Sequence, residues 1–282
     1  HLELHPSVMF GLTGCDEGFP ERNQAPRNMY QASMGKQAIG VSTLNYQDRF
    51  DMHQLVLDYP QRPLVTTRIQ GIRKQGALPS AQEVVVAIMC YGGFNQEDAV
   101  LINQSALDRG LFSTTKYVVY TDDLGDRGTE DETFCNPSDI PQLKNKNGAA
   151  NYSKLEEDGF VAVGVKVEPN DVIIGKVMTS VEVDEFGNQV EVKRCKSTVV
   201  KKGDGGYIEK VMLTSNRDGN PMVRVKIRSR KVPIIGDKLC VPTSHYVLTD
   251  RGWVQMKDIT LRHKVATLQN GNVLDYVCPT AK

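Results

Sequence analysis

The amino-acid sequence changes character at Cys240, and this change limits what the chain can fold into. A turn-like stretch, RKVPIIGDKL, occupies 230–239 and runs directly into a segment led by a cysteine. The upstream part carries a basic alternating strand and a carboxylate pair, which suit nucleic-acid handling, whereas the downstream part opens with a nucleophile beside a peptide bond. We therefore predict two segments of separate origin rather than one continuous fold.

Length and composition allow one sizeable core or two modest ones in 282 residues, of which 40% are hydrophobic and 24% charged. The longest apolar run, Val84–Cys90, has the length of a buried strand and is far below the roughly 18 residues of a membrane span. No membrane role is expected. The six cysteines form no Cys-x-x-Cys pair, which argues against a zinc site and favours a reducing compartment. The first residue, His1, predicts a fragment that lacks its natural start.

Net charge is zero, so any affinity for nucleic acid must come from local patches. Across 222–231 the residues alternate between aliphatic and cationic side chains. Successive side chains of a strand point to opposite faces, so the four cations would share one face and attract a phosphate backbone. A solvated edge strand, protected by its charges from edge pairing, is an equally good interpretation. The four cations are Arg224, Lys226, Arg228 and Arg230.

A carboxylate pair, Glu97 and Asp98, follows Gly92 and Gly93. The stretch 94–104 predicts a helix with Asn95 as its N-cap, and acidic residues in a first turn are favoured by the helix dipole. This simple explanation competes with a second, in which the two carboxylates face Mg²⁺, a hard ion that prefers oxygen ligands. Spacing alone does not decide between them.

Two further regions have a distinct composition. The segment 22–37 is rich in amides and cations, and as a surface it offers Arg27 and Lys36 to phosphates and Gln37 to sugars and backbone; a polar helix of no special duty is the alternative. The stretch 122–148 predicts an exposed loop, and beyond it short β-rich runs at 160–163, 171–176, 181–183 and 207–211 predict a β subdomain.

Several motifs, taken together and in order, resemble the second-largest (β-type) subunit of multisubunit DNA-directed RNA polymerases, most like the RNA polymerase II type of eukaryotes and some large DNA viruses. The likeness covers residues 1–239. The matching stretches are 3–7 (ELHPS), 23–28 (NQAPRN), 34–38 (MGKQA), 59–64 (YPQRPL), 95–98 (NQED), 108–112 (DRGLF) and 233–238 (PIIGDK).

The resemblance implies a mixed α+β fold, with a hybrid-binding region formed by 1–113 and 223–239 and a β-rich wall or flap at 114–222. It implies that Glu97 and Asp98 lie near the second Mg²⁺, which arrives with the nucleotide. The other implied contacts are Arg27 and Tyr30 with the nucleoside triphosphate, Lys36 and Gln37 with the RNA backbone, and Lys231 and Lys238 with the RNA 3′ end or the triphosphate.

The same resemblance implies partners and a location. The largest polymerase subunit would hold the tightly bound metal, so this chain would be a nucleotidyltransferase subunit that is inactive alone. The other polymerase subunits, template DNA, the RNA transcript and nucleoside triphosphates complete the expected partners. The location would be the nucleus, or a viral factory or the cytoplasm if the source is viral.

The segment 240–282 resembles the start of an intein, with a leading cysteine, a short strand, an Asp-Arg-Gly turn and Trp253. The resemblance implies a partial all-β Hint fold in which Cys240 attacks the Leu239 carbonyl in an N-to-S acyl shift. The expected His-Asn junction is absent, so complete splicing is not expected from this chain. A buried cysteine that opens an unrelated β segment is the alternative.

Overall fold

A computed structural model describes residues 2, 4–125, 130–141, 143–183 and 188–239, together with the backbone of four later strands. The chain divides into two compact units. The first unit combines His1–Leu44, Leu57–Ser113 and Val232–Lys282, and the second combines Asn45–Val56 with Thr114–Lys231. This division differs from the predicted one because 45–56 and 223–231 join the second unit. Their assignment to a hybrid-binding region and a wall stays a prediction.

Up to Ser113, the described part of the first unit is irregular chain with short 3-10 helices and three short α-helices: α1 (Ala25–Gly35), α2 (Arg68–Ile72) and α3 (Gln104–Asp108). Pro26 lies in the first turn of α1, where a missing N–H costs nothing. A capping box between Thr67 and Gln70 begins α2, and the Asn103 side chain accepts from Ala106 N to begin α3.

The helix predicted over 94–104 is wrong. Glu97 and Asp98 have φ angles of 46° and 57°, in the left-handed region that a right-handed helix excludes. The Asn95 side chain also bonds the backbone that precedes the turn at 92–95, accepting from Tyr91 N and donating to Met89 O. Such local bonds compete with a helix. The ordered helix begins only after Asn103.

The buried strand predicted at Val84–Cys90 is also wrong. This run forms no strand in the structure, and Val85 is 90% exposed. Its β-branched composition favours an extended backbone, but burial of a strand requires a neighbouring ladder and a covering layer, and composition specifies neither.

The second unit is built around a five-stranded sheet with the order β1-β2-β10-β9-β4, in which β2, β10, β9 and β4 pair antiparallel. A three-stranded sheet, β3-β6-β7, and a two-stranded sheet, β5-β8, accompany it. The strands are β1 (His53–Leu57), β2 (Thr114–Asp123), β3 (Glu130–Phe134), β4 (Lys166–Val167), β5 (Val172–Ile174), β6 (Lys176–Val183), β7 (Gln189–Cys195), β8 (Thr198–Val199), β9 (Gly206–Ser215) and β10 (Pro221–Lys231).

The predicted β subdomain is therefore present, with two corrections. The predicted run 160–163 forms no strand and contributes only isolated bridges, Phe160 with Ile174 and Val161 with Leu155. Residues 122–148 are not a continuous loop, because β3 pairs along β6 from Glu130 to Phe134. The core of the unit is formed largely by aliphatic side chains from β4, β5, β9 and β10 that are almost wholly buried, together with aromatic side chains such as Tyr120 and Phe160. The aliphatic side chains include Val167, Val172, Ile173, Ile174, Ile208, Val223, Val225 and Ile227.

Beyond Leu239 the backbone forms a four-stranded antiparallel sheet with the order β12-β11-β13-β14. The strands are β11 (Tyr246–Thr249), β12 (Gly252–Gln255), β13 (Val265–Gln269) and β14 (Asn272–Val277). Strands β11 and β12 pair antiparallel from Tyr246↔Gln255 to Thr249↔Gly252. Asp250 and Arg251 of the predicted Asp-Arg-Gly turn lie outside the described residues. Cys240 lies outside the described residues.

In the part of the chain that the structure describes, no helix is both long enough and apolar enough to cross a bilayer.

Candidate functional site

The helix α1 presents its polar side chains on the surface of the first unit. Arg27, Lys36 and Gln37 are all exposed, and the Arg27 guanidinium lies over the Tyr30 ring at 5.9 Å from its centroid. An arginine stacked on an aromatic ring presents a planar cation beside an apolar face, which suits a phosphate joined to a base. The structure thus brings the two predicted nucleotide contacts, Arg27 and Tyr30, together.

One residue anchors this helix. Asn28 is buried, and its Nδ2 donates to the Pro20 carbonyl at 2.8 Å. This buried amide ties α1 to the turn before it. Sequence reasoning grouped Asn28 with the surface amides and did not single it out.

Glu97 and Asp98 lie in the loop that precedes α3, and both side chains are exposed. Within the described residues of the first unit, neither carboxylate has an ion-pair partner. Their left-handed backbone conformation costs roughly 1–2 kcal/mol per residue, since neither is glycine. The explanation from helix-start chemistry therefore does not apply to these two carboxylates.

Lys238 follows a closed turn. Asp237 N donates to Ile234 O at 3.1 Å, and the Asp237 carboxylate accepts from Ile234 N at 3.0 Å. Gly236 has a φ of 103°, at which a residue with a side chain would be strained. The Gly-Asp bend is thus a specific structure, and it leaves the Lys238 ammonium exposed.

The basic strand forms as predicted, as β10 in the second unit. Val223, Val225 and Ile227 alternate into the core with at most 1% exposure. β10 pairs with β2 on one side and β9 on the other, so the edge-strand interpretation is wrong.

The cations of β10 differ in their surroundings. Arg228 Nε donates to Glu209 Oε2 at 2.7 Å, and Arg224 Nε is buried without a partner among the described residues. Arg230 and Lys231 are exposed at the end of the strand.

The prediction that four cations of β10 share one open face is wrong at Lys226, because this side chain is only 1% exposed. Its Nζ donates to the carbonyls of Tyr46, Gln47 and Arg49 at 2.7–3.0 Å and lies 4.4 Å from the centroid of the Tyr117 ring. Burial lowers the pKa of this ammonium group. Lys226 therefore has no donor left for a phosphate in this structure.

Sequence reasoning missed two buried ionic clusters in the second unit. In the first, Lys116 Nζ lies 2.6 Å from Asp204 Oδ1 and also donates to Gly203 O, while Tyr120 Oη donates to Asp204 Oδ2 at 2.8 Å. Burial raises the pKa of Tyr120 to about 12. This cluster ties the turn at 201–205 to β2.

The second cluster joins β2, β3 and β6. Lys176 Nζ lies 2.6 Å from Asp122 Oδ1 and 3.3 Å from Glu132 Oε2, and Lys196 Nζ lies 3.0 Å from Glu132 Oε1. A lysine inside a run of strand aliphatics, as in 172–178, is the signal that could have indicated it.

The chain thus combines antiparallel sheets and a few short helices with exposed arginine and lysine groups, and comparison with known families defines its class. The family model for RNA polymerase Rpb2, domain 6, matches residues 14–245. The chain therefore belongs to the RNA polymerase Rpb2 domain 6 family.

Comparison with individual proteins gives a more specific result than the family model. The chain is 43% identical over 242 residues to DNA-directed RNA polymerase II subunit RPB2 of Schizosaccharomyces pombe, covering 84% of this chain and 20% of that protein. It is 42% identical over 241 residues to the RNA polymerase II subunit 2 of Arabidopsis thaliana, with 84% and 20% covered. It is 36% identical over 241 residues to the Rpo2 subunit of Sulfolobus acidocaldarius, with 84% and 21% covered. The chain thus spans about a fifth of the length of these relatives.

Proposed function

We propose that this chain is part of the second-largest subunit of a DNA-directed RNA polymerase and contributes to the surface that binds the RNA–DNA hybrid and the incoming nucleotide. The observation that most supports this proposal is the reach of the family match, since 14–245 includes all the proposed binding residues from Arg27 to Lys238. With polymerase II relatives in fungi and a plant, we propose a nuclear location.

The exposed side chains are proposed to contact two ligands, the incoming nucleotide and the RNA. Arg27 and Tyr30 on α1 would contact the triphosphate and the base of a nucleotide, because the guanidinium is stacked on the ring and still exposed. Lys36 and Gln37 at the end of the same helix would contact the RNA backbone. Lys231 and Lys238 would act as point charges for the RNA 3′ end or the triphosphate.

We propose Glu97 and Asp98 as ligands of Mg²⁺. Two exposed carboxylates fit this ion, which proteins commonly hold through one or two carboxylates together with substrate phosphates. Two carboxylates are too few to complete the coordination of Mg²⁺, which agrees with a site that the largest subunit and the nucleotide complete. The ion would neutralise charge on the triphosphate during nucleotidyl transfer.

We expect Glu97→Gln with Asp98→Asn to slow nucleotide addition by about 10²-fold in a polymerase assembled with its other subunits, because the change removes two anionic oxygen donors at nearly constant shape. Raising the Mg²⁺ concentration should recover part of the rate. Single-nucleotide addition on a preformed hybrid would measure both effects.

The matched control is Glu157→Gln, an exposed carboxylate in the second unit with no assigned role. It should leave the rate and its Mg²⁺ dependence unchanged. An unchanged rate in the double variant would show that the two carboxylates do not bind the metal.

A second candidate function belongs to the segment after Leu239. We propose an intein-type acyl shift in which the Cys240 thiol attacks the Leu239 carbonyl, a C–S bond replaces the C–N bond, and the thiol proton passes to the released amine. Two observations support it: the family match ends at residue 245, close to the predicted junction, and a short strand, β11, follows Cys240 and pairs antiparallel with β12, which contains Trp253.

Incubation of the chain with an excess of a small thiol tests this reaction, because the thiol exchanges with the new thioester and releases 1–239. Mass spectrometry should detect a thioester-terminated product ending at Leu239, and Cys240→Ala should give none. Absence of the product from the unsubstituted chain would contradict the intein proposal and leave the polymerase proposal untouched.

A further inference from the structure

Lys226 was predicted to bind RNA, but its surroundings indicate a different role. Three backbone carbonyls from one short segment, those of Tyr46, Gln47 and Arg49, accept from its Nζ at 3.0, 2.7 and 2.9 Å. An ammonium group has three N–H donors, so these carbonyls account for all of them. The Tyr117 ring supplies a fourth side at 4.4 Å.

The segment that supplies these carbonyls has little else to hold it. Residues 44–48 form turns, and the strand β1 begins only at His53. The Tyr46 ring contacts Tyr117 at 6.1 Å between centroids, and Lys210 Nζ lies 5.7 Å from the Phe50 ring and 3.8 Å from Asp48. The ion pair of Lys210 with Asp48 joins two exposed side chains and contributes little.

We propose that Lys226 is a positioning residue, whose ammonium group fills a built-in cation site and thereby fixes residues 45–51 on the sheet of the second unit. Converging carbonyls repel one another unless a cation lies between them, so the loop depends on the charge. The segment 45–56 interrupts the first unit in sequence, between Leu44 and Leu57, and Lys226 holds part of it within the second unit without touching a ligand.

The substitution Lys226→Ala tests this role, because it removes the ammonium group and leaves space for a small ammonium ion from solution. Hydrogen exchange of the whole chain should show faster exchange, by about tenfold or more, at Asp48 N, which bonds Asn45 O, and at Val119 N, which bonds Met52 O. Core amides of β10 at Val223 and Val225 serve as the internal reference and should change much less.

Chemical rescue distinguishes a cation site from simple loss of packing. Propylammonium at millimolar concentrations should restore protection at Asp48 and Val119, whereas 1-propanol, of similar size and without charge, should not. Lys226→Arg should rescue poorly, because a planar guanidinium cannot direct three donors to one converging set of carbonyls. The matched control is Lys210→Ala, the cross-strand neighbour of Lys226, which should leave both amides protected.

Three outcomes would overturn the proposal: unchanged exchange at Asp48 and Val119 in Lys226→Ala, an equal loss of protection at the core amides, or rescue by the alcohol as effective as rescue by the ammonium ion. If Lys226→Ala does not fold, propylammonium present during refolding should recover a folded chain, and failure to do so would equally contradict the cation site.

Discussion

At the scale of single residues, the buried ionic groups determine how the second unit responds to acid. The Glu132 side chain is 4% exposed, and burial alone would raise its pKa. The Gly125 N–H and the ammonium groups of Lys196 and Lys176 outweigh burial and lower the pKa from 4.5 to about 2. Because the folded-state pKa lies below the unfolded one, the stabilisation is complete above about pH 4.5 and is lost as the pH falls through about 2.

We expect Glu132→Gln to lower the free energy of unfolding by about 3 kcal/mol near pH 7, because the shift of the pKa corresponds to that energy and the lysines lose their partner. The difference between the two chains should fall to less than half near pH 3. Urea unfolding followed by circular dichroism at the two pH values would measure it.

Glu191→Gln on β7 is the control for this change, since its carboxylate is exposed in the same sheet and should have little effect at either pH. A deficit in Glu132→Gln that stayed constant with pH would show that packing, rather than ionisation, accounts for the loss.

Residue roles were only partly accessible from the sequence. The exposure of Arg27 and Lys238 followed from their polar surroundings. The burial of Lys226 could not be predicted in this way, because the alternation in β10 indicated only which face of the strand Lys226 occupies. Whether a face is open depends on distant segments, here 45–51, and a single strand pattern contains no information on them.

At the scale of elements, β10 was predictable because its alternation is long and its apolar face is continuous, whereas the run 84–90 and the loop 94–98 were not. In both cases the local sequence favours an element that no tertiary contact among the described residues stabilises.

Close approach between strands is another feature that the sequence indicates only weakly. Gly206 in β9 is an example, since a Cβ there would lie 2.3 Å from the Arg228 carbonyl oxygen.

Gly206→Ala should therefore destabilise the second unit by about 2–3 kcal/mol, because the start of β9 must move away from β10 at Arg228. Thermal unfolding should show a lower midpoint. Gly148→Ala is the comparison, as a Cβ there meets nothing within 4 Å. Equal midpoints for the two variants would mean that the sheet accommodates the added methyl group.

At the scale of the whole molecule, the balance of 34 basic and 34 acidic residues means that total charge cannot attract a nucleic acid. Affinity must come from the cations that the fold leaves exposed, while Lys116, Lys176 and Lys226 are occupied within the second unit. The sequence identified the family, but it could not divide its lysines into these two groups, because that division depends on which strands and loops cover each one.

Lys231 and Lys238 belong to the exposed group, and each proposed phosphate contact should release counterions on binding. In an assembled polymerase, Lys231→Gln with Lys238→Gln should weaken binding of an RNA–DNA hybrid and reduce the slope of log affinity against log salt by about 1 for each lysine that neutralises a phosphate. Arg217→Gln, an exposed cation in the turn between β9 and β10 with no assigned role, should leave the slope unchanged. If the double variant and the control gave the same slope, neither lysine would contact a phosphate, and the hybrid would be held by other residues.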